Sequence, residues 1–230
     1  MQLLKNHFAD AQHVILPVIH VESAAQALQN AGIAREAGCH GVFLINHFID
    51  GPALLEISGQ VVDAFPDWWV GVNCLGQMPE EVVARIDPRV SGIWADNAGI
   101  NEYETNQPAA EKFRQACQDH RWHGLYFGGV AFKYQREVKE LEQAGRIAAR
   151  HIDVVTTSGP GTGKSASRAK IAALKRGLGE SPLAIASGIT PENVTDYLDL
   201  ATCFLVATGI SSSFTELDPA RVKALIKAVA

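Results

Sequence analysis

The chain has 230 residues, 47% hydrophobic and 20% charged, with 20 Lys plus Arg against 25 Asp plus Glu for a net charge of −5. That size and balance suit a single large domain, residues 1–230, and the acidic excess without a run of five or more like charges argues against a nucleic-acid surface. An anionic ligand would be held by local amide dipoles and one or two cations, since no broad positive field is available.

The opening stretch Met1–Phe8 is too short and too mixed for a secretory leader, and no apolar run approaches the roughly 18 residues that span a bilayer. The four cysteines, Cys39, Cys74, Cys117 and Cys203, lie far apart with no Cys-x-x-Cys pair. A reduced, cytoplasmic protein without membrane insertion is the expectation.

From there short β-branched runs alternate with helical patterns. Strands are predicted near His13–Val21, Gly41–Asn46, Trp68–Leu75, Gly92–Asn97, Gly124–Phe132, Val154–Ser158, Leu183–Gly188 and Cys203–Thr208. Helices are predicted at Ser23–Ala37, Pro52–Phe65, Pro79–Ile86, about Gln107–His120, Glu137–Arg150, Ser165–Arg176, Pro191–Leu198 and Asp218–Val229. Pro52, Pro79 and Pro191 suit first helical turns, Thr190 suits a cap, and Gly38 and Gly177 suit helix ends. Eight βα units in a chain of this length match a single TIM-type (β/α)8 barrel. An open doubly wound sheet is the alternative, but the first turn, Val18–Ser23, lacks the glycines that fold uses.

The sixth turn, Ser158-Gly-Pro-Gly-Thr-Gly-Lys-Ser165, comes close to a nucleotide-binding P-loop. Its first glycine should stand at position 158, where the chain has Ser158, and Gly159 leaves the loop one residue short. A P-loop ATPase or kinase is therefore an alternative function only. In a barrel the phosphate commonly sits on the loops after strands seven and eight. Here those loops read Ala186-Ser-Gly-Ile-Thr-Pro-Glu-Asn193 and Val206-Ala-Thr-Gly-Ile-Ser-Ser-Ser213. Ser187, Gly188, Ile189, Thr208, Gly209 and Ile210 are the expected phosphate-binding residues, and the three serines could open a short extra helix. Glycines after strands also make plain turns, so it is the pairing of the two loops that counts.

The segments Asp153–Gly163, Ala186–Val194 and Val206–Gly209, with Pro17-Val-Ile-His20 and Ile45–Asp50, resemble the BtpA family. That resemblance implies a barrel related in pattern to the ribulose-phosphate-binding barrels and a phosphate-binding face, and it leaves the reaction undefined. The longer proline- and glycine-rich first loop associated with the family is missing.

Polar residues cluster at predicted strand ends, which point into a barrel's site. His20 and Asp96 are candidates for proton transfer, and Lys133 for a Schiff base or a phosphate contact. Glu22, Asn46, Asn73, Ser158, Gly159, Thr162, Gly163 and Lys164 are the further substrate-binding candidates. Strand alternation sends the neighbours Asn46 and His47 to opposite faces, so one of them enters the site, and Asn46 is the expected one, as a hydroxyl or carbonyl binder. No metal-ligand spacing and no Gly-x-Ser-x-Gly elbow is present, and nothing in the chain singles out a cofactor. These residues point to an isomerase or lyase acting on a small phosphorylated metabolite, a sugar phosphate or a nucleotide precursor. A non-catalytic assembly or regulatory barrel is a further alternative, and a homo-oligomer stays open.

Overall fold

The computed structural model describes residues 2–9 and 11–230; Met1 and Asp10 lie outside them. Eight strands form in chain order: β1 (Val14–Val21), β2 (Gly41–Asn46), β3 (Trp69–Asn73), β4 (Gly92–Ala95), β5 (Leu125–Gly129), β6 (Val154–Ser158), β7 (Leu183–Ala186) and β8 (Cys203–Val206). Each pairs in parallel with the next and β8 returns to β1, closing a (β/α)8 TIM barrel. The helices are α1 (Gln2–Phe8), α2 (Ala24–Glu36), α3 (Gly51–Ala64), α4 (Pro79–Val83), α5 (Pro108–Asp119), α6 (Leu141–Ala148), α7 (Arg168–Leu178) and α8 (Pro219–Val229).

Alternation along each strand divides the core in two. On β1, Leu16 and Val18 belong to the barrel interior, whereas Ile15, Ile19 and Val21 pack outward against the helices. The lower interior is filled by rings: Phe43 meets Trp69 and Phe127 edge-on, each at 5.0 Å between centroids. Gly92 makes room for them, since a Cβ there would lie 2.3 Å from the Trp69 indole. Burying Phe43 and Phe127 completely stabilises the fold by roughly 1.5–3 kcal/mol each. With the interior packed solid, a ligand has access only at the ends of the strands.

Several boundaries differ from the sequence expectation. A helix precedes β1: α1, which no periodicity announces, sends Leu4 and Phe8 of its described side chains into the inner cluster, and the Phe8 ring lies 5.4 Å from Trp69. The sixth helix starts at Leu141, four residues later than expected, because Glu102 holds the preceding segment through the Arg136 guanidinium and the Lys139 N–H. Arg136 holds the Glu102 carboxyl down to about 2. The seventh starts at Arg168, capped by Ser167 Oγ, which accepts from Lys170 N at 3.3 Å. Pro191–Leu198 forms only the 3₁₀ turn Val194–Tyr197, and the fourth helix stops at Val83. Gly177 lies inside α7, where it admits the Glu142 carbonyl of α6, and Gly179 at φ +58° ends the helix instead. The serines after β8 open no helix; a 3₁₀ turn, Thr208–Ile210, precedes them, and Ser211 pairs with Leu217 across a tight loop.

Candidate functional site

A cavity of about 260 Å³ opens at the C-terminal ends of the strands. It is lined by residues from β1 and from the loops after β2, β3, β4, β5, β6, β7 and β8. His20 is the last inward-facing residue of β1 and is 6% exposed. Its Nδ1 lies 2.8 Å from the Phe214 carbonyl. A carbonyl only accepts, so Nδ1 carries the proton and Nε2 presents a lone pair. Burial pushes the ring's pKa down to about 4, against the upward pull of that hydrogen bond, and the neighbouring His47 and Lys133 charges lower it further. Neutral His20 is thus an acceptor at neutral pH.

Asp96 follows β4 and accepts from Asn73 Nδ2 at 2.9 Å. Burial raises its pKa, while Asn73, Lys133 and His47 pull it back. A carboxylate with a raised pKa, held by a neutral amide, is equipped to take a proton from a bound molecule. Lys133 stands across the cavity wall with its backbone N–H on Ser158 Oγ at 2.8 Å and its ammonium on Thr162 Oγ1 at 3.1 Å. His47 shares the wall; burial lowers its pKa, Lys133 lowers it further, and Asp96 opposes them.

The turns after β7 and β8 close the other side. Ser187 and Gly188 both adopt left-handed backbone, φ +87° and +72°. For a serine that conformation costs about 1–2 kcal/mol. Ser187 Oγ offsets part of it by accepting from Gly159 N at 3.3 Å and donating to the Lys164 carbonyl at 3.4 Å. The turns interlock through glycine: a Cβ on Gly188 would stand 2.2 Å from Ser165 N, and one on Gly209 would stand 1.9 Å from the Ile189 carbonyl. Their carbonyls are engaged, Gly188 O by Ser165 Oγ and Asn193 Nδ2, and Gly209 O by Arg221 Nε. Among the described residues, no acceptor meets the N–H groups of Gly188, Ile189 and Gly209.

Of the residues the sequence nominates, the fold brings His20, Asp96, Lys133, Thr162, Gly163, Ser187, Gly188, Ile189 and Thr208 to this one cavity. Others lie outside its lining. Glu22 is exposed, and its N–H donates to Gln26 Oε1. Asn46 faces the next loop, accepting from Leu75 N at 2.6 Å and donating to the Ile49 and Leu75 carbonyls, and His47 lines the cavity in its place. Asn73 stands behind Asp96, and Ser158 is fully buried beneath Lys133. Gly159 lets the sixth loop fold back on the Lys164 carbonyl, Lys164 itself is exposed, and Gly209 and Ile210 are buried behind Thr208. Because α7 begins only at Arg168, Lys164 and Ser165 do not form the start of a helix as they would in a P-loop.

Two residues escaped sequence reasoning. Phe214 lies 4.0 Å from the His20 ring and 5.4 Å from that of His47; its one signal is an aromatic residue isolated in the polar run Ser211–Glu216. Lys170 reaches from α7 to the Ser158 carbonyl at 2.6 Å and to the Ala131 carbonyl, binding the fifth and sixth loops together, and burial lowers its pKa. Nothing in a helical lysine announces that role.

No family model matches the chain, and no curated protein matches it in sequence. Solved structures do match. Phosphoribosyl anthranilate isomerase from Thermus thermophilus aligns with a TM-score of 0.66 and 16% identity over 94% of this chain and 98% of its own. (S)-3-O-geranylgeranylglyceryl phosphate synthase from Thermoplasma acidophilum, in complex with sn-glycerol-1-phosphate, gives 0.71 and 14% over 99% and 96%. Native KDPGal gives 0.65 and 18% over 93% of each chain. At these identities the likeness shows the shared barrel fold. No described helix is long and apolar enough to cross a membrane.

Proposed function

We propose that this chain is a barrel enzyme that binds a small phosphorylated metabolite, a sugar phosphate or nucleotide precursor, and acts on it as an isomerase or lyase. The observation that carries the reading is the pair of interlocked turns after β7 and β8. Among the described residues, the N–H groups of Gly188 and Ile189 are left without acceptors in the lining of a cavity whose other walls bear His20, Asp96 and Lys133, and that of Gly209 lies just behind it. Backbone amides there would hold the phosphate, with Lys133 supplying the cation. Asp96 would take the proton, and His20 Nε2 would accept a hydrogen bond from a substrate hydroxyl or amine. Two barrels of the same fold are named for, or solved with, phosphorylated compounds, which supports the reading, as does the resemblance to the BtpA family.

Thermal unfolding with inorganic phosphate tests it. At a hundred times Kd the gain is about 2.7 kcal/mol, a rise of roughly 5–10 °C for a chain of this size. Thr208→Glu, which places a negative charge on the exposed lip of the second turn, is expected to remove the rise without loss of folding. A rise with ATP and magnesium alone, and none with phosphate, would sink the proposal.

A further inference from the structure

We propose that the body of this metabolite is a single flat apolar ring, and that Phe214 is the residue that selects it. The proposal rests on the phosphate reading and narrows it. The cavity floor consists of Val18, Ile45, Trp94, Ala186 and Leu205, with the Phe214 ring over one side. The polar side chains stand on the cavity walls, not on its floor: His20, His47, Asp96 and Lys133 line it there, and His20 Nδ1, one Asp96 oxygen and Ser187 Oγ are already bonded within the protein. A chain of hydroxyls laid along that floor would meet hydrocarbon away from the polar walls, and each hydroxyl left unpaired there costs affinity. A ring face meets complementary surface instead. The volume of about 260 Å³ lies just below the roughly 300–1,000 Å³ of drug-sized pockets and suits one ring beside its phosphate.

The surface around the mouth has the same character. Every large apolar side chain exposed among the described residues, Phe48, Met78, Tyr103, Tyr134 and Phe214, lies on a loop that follows a strand. Phe48 meets Phe214 edge-on at 5.8 Å, extending the apolar wall toward solvent.

Phe214 is also held in place. Ser211 bridges to Leu217, and Ser212 N donates to the Glu216 carbonyl at 2.9 Å, which makes a tight loop with Phe214 near its tip. Two buried amides of α2 grip that loop. Gln26 Nε2 donates to the Thr215 carbonyl at 2.6 Å, and Asn30 Oδ1 accepts from Leu217 N at 2.7 Å. The ring therefore stands over the cavity before any ligand arrives, so that little ordering cost falls on binding.

The test is calorimetric titration of the whole protein with inorganic phosphate, glycerol phosphate and phenyl phosphate. Phenyl phosphate is expected to bind at least about tenfold more tightly than glycerol phosphate, the gain from covering one ring. Phe214→Ser should narrow that ratio to within about threefold, and Phe214→Trp should preserve it, with circular dichroism confirming that both variants fold. Binding of inorganic phosphate without preference for phenyl over glycerol phosphate would overturn this inference alone. Failure of all three probes would overturn the phosphate reading and this one with it.

Discussion

The loop after β6 carries three glycines and the paired turns after β7 and β8 carry one each, and these glycines do different things. In the sixth loop Gly159 lets the chain fold back on its own Lys164 carbonyl, and Lys164 N closes a turn on Gly161 O at 3.1 Å. In the paired turns Gly188 and Gly209 let separate loops approach one another, and among the described residues the N–H groups of Gly188, Ile189 and Gly209 meet no acceptor. Glycine content and a lysine therefore do not identify an anion site. What matters is whether the glycines bring separate loops together beside the cavity, as Gly188 and Gly209 do, or turn one loop back on itself, as Gly159 does.

The sharpest break in that comparison is Gly209→Ala. Its Cβ would stand 1.9 Å from the backbone carbonyl of Ile189, which no side-chain motion relieves, so a loss of about 3 kcal/mol or more is expected in urea unfolding, together with loss of the phosphate response. Second in size is a pH effect on the wall that the turns face. Because burial holds His20 near 4, the unfolded chain binds a proton there between about 4 and 6.5 that the folded chain refuses. Its contribution is complete above 6.5 and is lost as pH falls, by roughly 2–3 kcal/mol at pH 4.5. Asp96, whose pKa is raised, works in the opposite sense, so the measurement is the difference between wild type and His20→Gln across that range.

Lys133→Ala should weaken phosphate binding by roughly tenfold or more, the worth of one charged hydrogen bond, by calorimetry. Gly163→Ala should cost only about 1–2 kcal/mol, because its left-handed φ of +72° is the sole obstacle and the nearest atom to the new Cβ, Thr208 Oγ1, is 3.5 Å away. Lys164→Ala, at an exposed side chain outside the cavity lining, should change stability by less than about 0.5 kcal/mol and phosphate affinity by less than twofold. A large loss at Lys164 with none at Lys133 would reverse the roles assigned to the two regions.

The candidate site is partly legible in the sequence. His20, Asp96, Lys133, Ser187, Gly188 and Thr208 can be nominated because each follows or ends a strand, and in a barrel all those ends share one face. Strand alternation does separate Asn46 from His47, but its phase is set by Phe43 and Ile45, which face the interior, so that His47 and not Asn46 reaches the cavity. Helix starts at positions 141 and 168 are displaced by Glu102 and by the folded-back sixth loop, contacts that no local propensity registers.

The order of the eight strands and of most of the helices between them, and with it the barrel and its functional end, could be read from the sequence alone. Alternation and helical periodicity arise from sterics between near neighbours, and eight βα units in a chain of this length match the closed barrel that β8 completes by pairing with β1. Tertiary structure decided which polar ends share a cavity, which glycines free their amides, and that Phe214 covers His20. Each of these depends on contacts between residues far apart in the chain, such as Gln26 and Asn30 with the loop before α8. Phe214, distinguished in sequence only as an aromatic among serines, became part of the site because two buried amides nearly the length of the chain away hold its loop in place.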